Sequence, residues 1–330
     1  MKKLISLALA LMLVLSLSTV AFAAEQDLTS YLDKAPVVPK TYTINNGTAP
    51  AETFTYKFEG QSYVNGDGET VADATIPAIA DVTISFDAIS ATTSKSVTAT
   101  IDAGDYELGV YTYKVTEVAG NTAGVTYSGE DLYLVLTILR DETNGQHYVA
   151  AMHYQNASGT DKSTGFTNSY DAGSLSVTKE IKGNMADMTK KFAFTIVFTA
   201  PANEVVKSAI TVTKPDQTTE TITFAEGANT YTYTINLGDG ETVKFTNIPE
   251  GVTYAVSEDE ENYESDDGVF SDTTKTIAAN DEDTVTFTNT LTNEVDTGIT
   301  MDSMPYVLLL AVAAVGLVVM FTKKRMMREF

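Results

Sequence analysis

The sequence predicts an all-β protein built as two tandem antiparallel β-sandwiches, and three observations predict it. Between residues 40 and 293 the chain is a succession of short segments rich in Thr, Tyr, Val and Phe. These alternate by two and are separated by Gly, Asn and Asp turns, which is the pattern of half-buried strands. No helical period runs through this region. The two halves also repeat one plan, so the region reads as two copies of one kind of β-domain rather than a single large one.

The elements follow in chain order. Lys2 and Lys3 precede an apolar stretch over 4–20, and Ala21-Phe22-Ala23-Ala24 offers a small-residue cleavage site, so residues 1–24 are expected to be a signal peptide. The first domain is expected over 25–170. Its strands include TFTYKF (53–58), VTISF (82–86), YTYKVTE (111–117) and DLYLVLTIL (131–139). Asp171-Ala172-Gly173-Ser174 reads as a short linker, and the second domain is expected over 171–293, with KFAFTIVF (191–198), NTYTYTI (229–235) and DTVTFTNT (283–290) among its strands. The end, 294–330, carries Glu294-Val295-Asp296-Thr297-Gly298, an apolar run from about Pro305 to Phe321, and the basic residues Lys323, Lys324, Arg325 and Arg328. That run is just long enough for a transmembrane helix with a cytoplasmic basic tail, which would leave the segment between the two ends outside the cell.

Composition narrows the function. The chain carries a net charge of −23, and residues 1–24 and 298–330 contribute +2 each, so the exported segment 25–297 stands at −27. Such a surface repels nucleic acid. The absence of cysteine removes disulfides, thioesters and cysteine nucleophiles from consideration. His147 and His153 have no carboxylate cluster at ligand spacing, so neither a metal site nor a cofactor is expected. The acidic run 257–267 (SEDEENYESDD) follows a strand and reads as a solvated loop rather than as the paired carboxylates of a glycan-cleaving enzyme.

The informative residues are polar ones in apolar register. Lys40 shares its face with Val38, Tyr42 and Ile44; Glu117 with Tyr111, Tyr113 and Val115; Asn168 with Phe166 and Tyr170. The second half repeats the set with Lys179, Glu258 and Asn289. Because side chains alternate across a strand, all six should point into a core. The other candidates do not fit that pattern: Lys182 lies in the opposite register to Lys179, and Asn247 leads into the turn Ile248-Pro249-Glu250-Gly251.

A lysine attacks a carboxamide only as the neutral amine, and burial favours that form. Burial likewise favours a neutral carboxyl, which can hydrogen-bond the amide and carry the lysine proton. A fixed geometry supplies the effective concentration. The expected products are Lys40–Asn168 and Lys179–Asn289 amide bonds, formed with Glu117 and Glu258 as the catalytic carboxyls. This is a single-turnover self-cross-linking, so the protein is not expected to be an enzyme with external substrates. The alternative is a buried Lys–Glu ion pair beside an unrelated Asn. Lys40 and Asn168 lie 128 residues apart and Lys179 and Asn289 lie 110 apart. By analogy with disulfides, closing loops of that size lowers the unfolded-state entropy by about 4–5 kcal/mol each.

With these residues in place, the chain resembles the Gram-positive backbone (major) pilins of the FctA-like, isopeptide-linkage type. The resemblance rests on VVPKTY, YTYKVTE and GFTNSY in the first half, and on SVTKEIKG, FTNIPEGVTYAVSE and VTFTNTL in the second. The second set is also similar to the Cna-B module. The resemblance implies immunoglobulin-like or Cna-B-like sandwiches and a C-terminal sorting signal cut by a sortase between Thr297 and Gly298. Residues 294–298 (EVDTG) depart from the usual Leu-Pro-x-Thr-Gly in their first positions. The resemblance further implies that Thr297 of one subunit is joined to a lysine of the next. Lys162, six residues before Asn168, matches that lysine, with Lys40 as the rival. The implied partners are the sortase, identical subunits, peptidoglycan or a basal pilin, and a host ligand reached through accessory pilins. The implied location is the cell wall and surface, in a pilus, after a membrane-anchored precursor. A non-polymerised, wall-anchored adhesin or accessory pilin is the alternative.

Overall fold

A computed structural model describes residues 35–259, 263–265, 274–292 and 304–326. The signal peptide, the sorting motif with Thr297 and Gly298, and residues 260–262 and 266–267 of the acidic run lie outside the described residues.

In the first half the strands are β1 (Val37–Ile44), β2 (Glu52–Asn65), β3 (Val82–Phe86), β4 (Thr93–Thr98), β5 (Gly109–Val118), β6 (Val125–Thr126), β7 (Leu132–Arg140), β8 (His147–Gln155) and β9 (Phe166–Tyr170). They form two sheets, ordered β4-β1-β9-β6 and β3-β2-β5-β7-β8. The inner faces bury Val38, Tyr42, Phe54, Tyr56, Tyr113, Val115, Leu134, Phe166 and Tyr170 in one core.

In the second half the strands are β10 (Ala172–Lys182), β11 (Phe192–Thr199), β12 (Ile210–Thr213), β13 (Thr219–Ile222), β14 (Thr230–Leu237), β15 (Thr242–Pro249), β16 (Thr253–Glu258), β17 (Glu264–Ser265), β18 (Lys275–Thr276) and β19 (Glu282–Thr290). The sheets are ordered β13-β12-β15-β10-β19-β17 and β14-β11-β16-β18. Their core holds Leu175, Val177, Phe192, Phe194, Phe198, Phe245, Tyr254, Val256, Val285 and Phe287. The burial of β1, β5, β9, β16 and β19 alternates by two, as their sequences require.

Two sequence expectations are corrected here. The sandwiches are not wholly antiparallel: β1 pairs with β9 in parallel, and β10 pairs with β19 in parallel. Alternation by two sets which face a side chain takes and is blind to strand direction, so the sequence could not reveal this. There is also no four-residue linker. Only Asp171 separates β9 from β10, because Ala172 already pairs with Pro249 and Gly173 with Ile248.

The junction is instead a polar seam. The Asn45 amide donates to the Asp171 carboxylate at 2.8 Å, and the Ala172 N–H donates to Asn46 Oδ1 at 2.7 Å. Asn247 Oδ1 accepts from Thr48 N–H at 2.8 Å, while its amide donates to Thr48 O at 3.1 Å and to Ala209 O at 2.8 Å. Asn247 holds this position from a left-handed backbone, φ +62°, where β15 bulges against β10. Opposite it, Gly47 (φ +75°) comes so close that any Cβ would sit 2.3 Å from Asn247 Oδ1, so only glycine fits. Glu52, buried, accepts from Thr122 in its own domain and pairs with Lys207 of the next at 3.1 Å.

Beyond the second domain, α1 (Met304–Met326) occupies the stretch where the sequence predicts a membrane helix. Among the described residues, no helix is long and apolar enough to cross a membrane.

Candidate functional site

Each domain contains one buried Lys–Glu–Asn cluster, and the strand registers create it. In the first domain the parallel register sets Lys40 opposite Phe166 and Tyr42 opposite Asn168. The lysine therefore starts two residues short of the asparagine on the neighbouring strand, on the same face, and its long stem covers the offset. In the second domain Lys179 stands opposite Phe287 and Ile181 opposite Asn289, which is the same offset. The glutamates come from the facing sheets, Glu117 near the end of β5 and Glu258 at the end of β16. Lysine and asparagine thus share one sheet, and the carboxyl reaches them across the core.

The contacts are short. Lys40 Nζ donates to Glu117 Oε2 at 2.6 Å, and Asn168 Nδ2 donates to Glu117 Oε1 at 2.5 Å. Lys179 Nζ lies 2.9 Å from Glu258 Oε1, and Asn289 Nδ2 donates to that same oxygen at 3.0 Å. The side chains of all four charged residues are fully shielded from solvent. Aromatic rings wall both ammonium groups, with the Phe54 centroid 4.2 Å from Lys40 Nζ and the Phe192 centroid 4.6 Å from Lys179 Nζ. A ring face attracts the cation. Desolvation nevertheless outweighs the attraction of Glu117 for Lys40, and its pKa falls to about 8. A neutral amine beside a carboxamide thereby becomes accessible near neutral pH.

Around the first cluster, Tyr56 sits opposite Glu117 across β2 and β5, with its hydroxyl buried. Burial first, then the charge of Glu117, pushes its pKa up. Sequence reasoning passed over Tyr56 because a tyrosine in an apolar register reads as ordinary core. It also passed over the main-chain N–H of Ser128, which donates to Asn168 Oδ1 at 2.7 Å.

The remaining predicted residues lie away from the clusters. Lys162 is exposed and itself forms an isolated bridge with Gln155, the last residue of β8, in the loop leading into β9. Lys182 is exposed and pairs with Glu180. His147 Nδ1 is 2.7 Å from Tyr106 O, and His153 Nε2 lies 3.3 Å from Gln155 Oε1. No group of three or more metal-ligating side chains occurs among the described residues.

Comparison with known proteins matches these features. Residues 37–171 match the family described as Spy0128-like isopeptide containing domain, FctA, and residues 173–291 match a domain of unknown function, DUF7601. A pilin of Streptococcus pyogenes serotype M1 is 30% identical over 300 residues, covering 85% of this chain and 87% of the relative. The crystal structure of the major pilin from Streptococcus pyogenes is similar at 25% identity with a TM-score of 0.53, over 79% of this chain and 99% of that one. A variant of that pilin with an asparagine replaced by alanine is similar at 26% identity and a TM-score of 0.52, over 79% of this chain and 100% of that one. With two β-domains, each enclosing a buried Lys–Glu–Asn cluster, and with these relatives, the chain belongs to the Gram-positive backbone pilins of the FctA-like, isopeptide-containing family.

Proposed function

We propose that this pilin subunit cross-links itself once in each domain and is then polymerised and anchored to the cell wall by a sortase. The observation that carries the reading is the placement, twice, of an amine and a carboxamide on adjacent parallel strands with a carboxyl touching both. Lys40 would join Asn168 with Glu117 as proton carrier, and Lys179 would join Asn289 with Glu258. Burial and fixed geometry supply what aminolysis lacks in water.

The topology gives these links a mechanical role. The first and last strands of each domain are neighbours and run parallel. A pull between the domain's ends therefore shears that pair, and a link from Lys40 to Asn168 or from Lys179 to Asn289 takes the load. In a polymer joined through Lys162, force would enter at Lys162, follow the main chain past Asn168 to Lys179 and cross to Asn289, while the Lys40–Asn168 link ties the first strand of the first sandwich to that path. The rest of each sandwich would be shielded. A cysteine-free chain gains by this route what disulfides supply elsewhere.

On the sequence and the family, Thr297 would be cut from Gly298 and joined to Lys162 of the next subunit. The exposure of Lys162 supports this assignment over Lys40, which is buried at 1% exposure in the first cluster. The apolar run 305–321 with its basic tail would hold the precursor in the membrane until that cut, and the finished subunit would be displayed on the cell surface in the pilus. The decisive experiment is the intact mass of the folded mature protein, which should be lower than the sequence mass by about 17 Da, one ammonia, per link. An unreduced mass would refute the cross-linking. The polymer is tested separately: a heat-resistant ladder in cell-wall extracts should vanish in Lys162→Ala, and a persisting ladder would place the linkage elsewhere.

A further inference from the structure

The two clusters share residue types and register but differ at the amide oxygen. In the first domain, Asn168 is held at both ends of its carboxamide: Nδ2 donates to Glu117 Oε1, and Oδ1 accepts from the Ser128 main-chain N–H at 2.7 Å. In the second domain Nδ2 of Asn289 donates to Glu258 Oε1, while Oδ1 is buried and accepts no hydrogen bond among the described residues.

The free donor at Ser128 has a structural origin. β6 pairs with the end of β9 only through Val125–Tyr170 and Thr126–Ser169. The ladder then stops, and the next inward N–H, that of Ser128, meets the side chain of Asn168 in place of a main-chain carbonyl. At the corresponding edge in the second domain, Ser265 of β17 is still laddered opposite Asn289 itself.

We propose that the Ser128 main-chain N–H is the oxyanion donor of the first cluster, and that the first domain therefore closes its link well before the second. The inference rests on the cross-linking reading and assigns a division of labour within it. The Lys40 ammonium passes one proton to Glu117 Oε2, and the resulting amine attacks Asn168 Cγ. The carbonyl electron pair moves onto Oδ1, where the Ser128 N–H receives the developing charge. The Glu117 carboxyl proton passes to Nδ2, and the vacated carboxylate takes a second proton from Nζ. The Cγ–Nδ2 bond breaks and ammonia leaves, with a Lys–Asn amide and a protonated Glu117 remaining. No external reagent is consumed. One carboxyl thus serves the entering and leaving nitrogens through its two oxygens, and the main chain serves the oxygen. A donor preset at the point where charge develops acts without reorganisation, and removing one costs about 10²–10³ in rate.

The test is a time course on the full mature chain made by cell-free translation. Samples are quenched in acid and digested, and the cross-linked and free forms of the Lys40 and Lys179 peptides are quantified by mass. The first-domain link should form about 100-fold faster than the second. Ser128→Pro, which removes the N–H, should slow the first link by a similar factor while leaving the second unchanged. Ser128→Ala, which keeps the N–H, should leave both rates as they were. Equal rates for the two links in the unaltered chain would overturn the proposal. So would an unchanged first-link rate in Ser128→Pro. Should the proline variant fail to fold, the ratio of rates in the unaltered chain decides alone. Absence of both links would refute the cross-linking itself and this inference with it, an outcome distinct from two links formed at equal speed.

Discussion

The two domains solve one packing problem with different economy. Both bring a lysine from a first strand, an asparagine from a parallel last strand and a glutamate from the opposite sheet into a dry centre. In the first domain Glu117 divides its oxygens between Lys40 and Asn168, and a main-chain donor completes the amide. In the second, Lys179 Nζ reaches both oxygens of Glu258, at 2.9 Å from Oε1 and 3.2 Å from Oε2, so it shares Oε1 with Asn289, and it also lies 3.4 Å from Phe287 O. Two reaction centres can thus share residue types, order and register and still differ in how completely their polar atoms are satisfied. That difference is set by the strand next to the asparagine, β6 in one case and β17 in the other.

The largest expected effect separates loss of the link from loss of the charge partner. Asn168→Ala removes the link and leaves the Lys40–Glu117 pair, so the first domain should lose about 4–5 kcal/mol, or on the order of 10–20 °C in Tm. Glu117→Ala also blocks the link but strands Lys40 without its carboxylate, which should cost about a further 3–5 kcal/mol. Both variants should regain one ammonia mass, with Glu117→Ala clearly the less stable. Glu258→Ala and Asn289→Ala should rank in the same way in the second domain. Equal stability of the Glu and Asn variants would show that the buried pair contributes nothing beyond the link, and normal ammonia loss in either Glu variant would show that the carboxyl is not the catalyst.

A smaller effect is read in the pH dependence of Asn168→Ala, where Lys40 remains a titratable amine. Its folded pKa, about 8, lies below the ordinary lysine value of 10.5. Between these values the unfolded chain holds a proton that the folded chain has released, so the fold gains stability from this group as pH rises from about 8 towards 10. In the linked parent Lys40 is an amide and contributes no such slope. Denaturant midpoints of variant and parent across that interval check the sign. A variant midpoint that falls relative to the parent would show that Glu117 keeps Lys40 charged in the fold, and would remove the neutral amine from the mechanism.

Much of this organisation is legible in the sequence because burial on a strand is a matter of parity. Lys40 alternates with Val38 and Tyr42, and Asn289 with Phe287, so the core faces could be assigned before any sheet was known. The glutamates followed because the same aromatic and aliphatic register surrounds Glu117 and Glu258. What parity does not carry is direction and neighbourhood. The parallel pairing of β1 with β9, and the consequence that first and last strands touch, depends on long-range closure of the sheet. The three Phe-Thr-Asn sequences make the same point. Asn168 and Asn289 enter the clusters, whereas Asn247, with φ +62° in a bulge, turns its carboxamide to Thr48 and Ala209 at the domain seam.

The sequence by itself determined an all-β chain in two repeated halves, acidic and without cysteine, with an amine, a carboxyl and a carboxamide assigned to each core. Those properties follow from local alternation, composition and repetition, which are written residue by residue. The tertiary structure alone decided which strands lie side by side, how the seam between domains is bonded, and that a main-chain N–H faces Asn168 Oδ1 while Asn289 Oδ1 has no partner among the described residues. The physical reason is that every residue other than proline carries the same main-chain donor. Its identity says nothing about where that donor points, and only the point at which β6 stops pairing with β9 aims the Ser128 N–H at the amide.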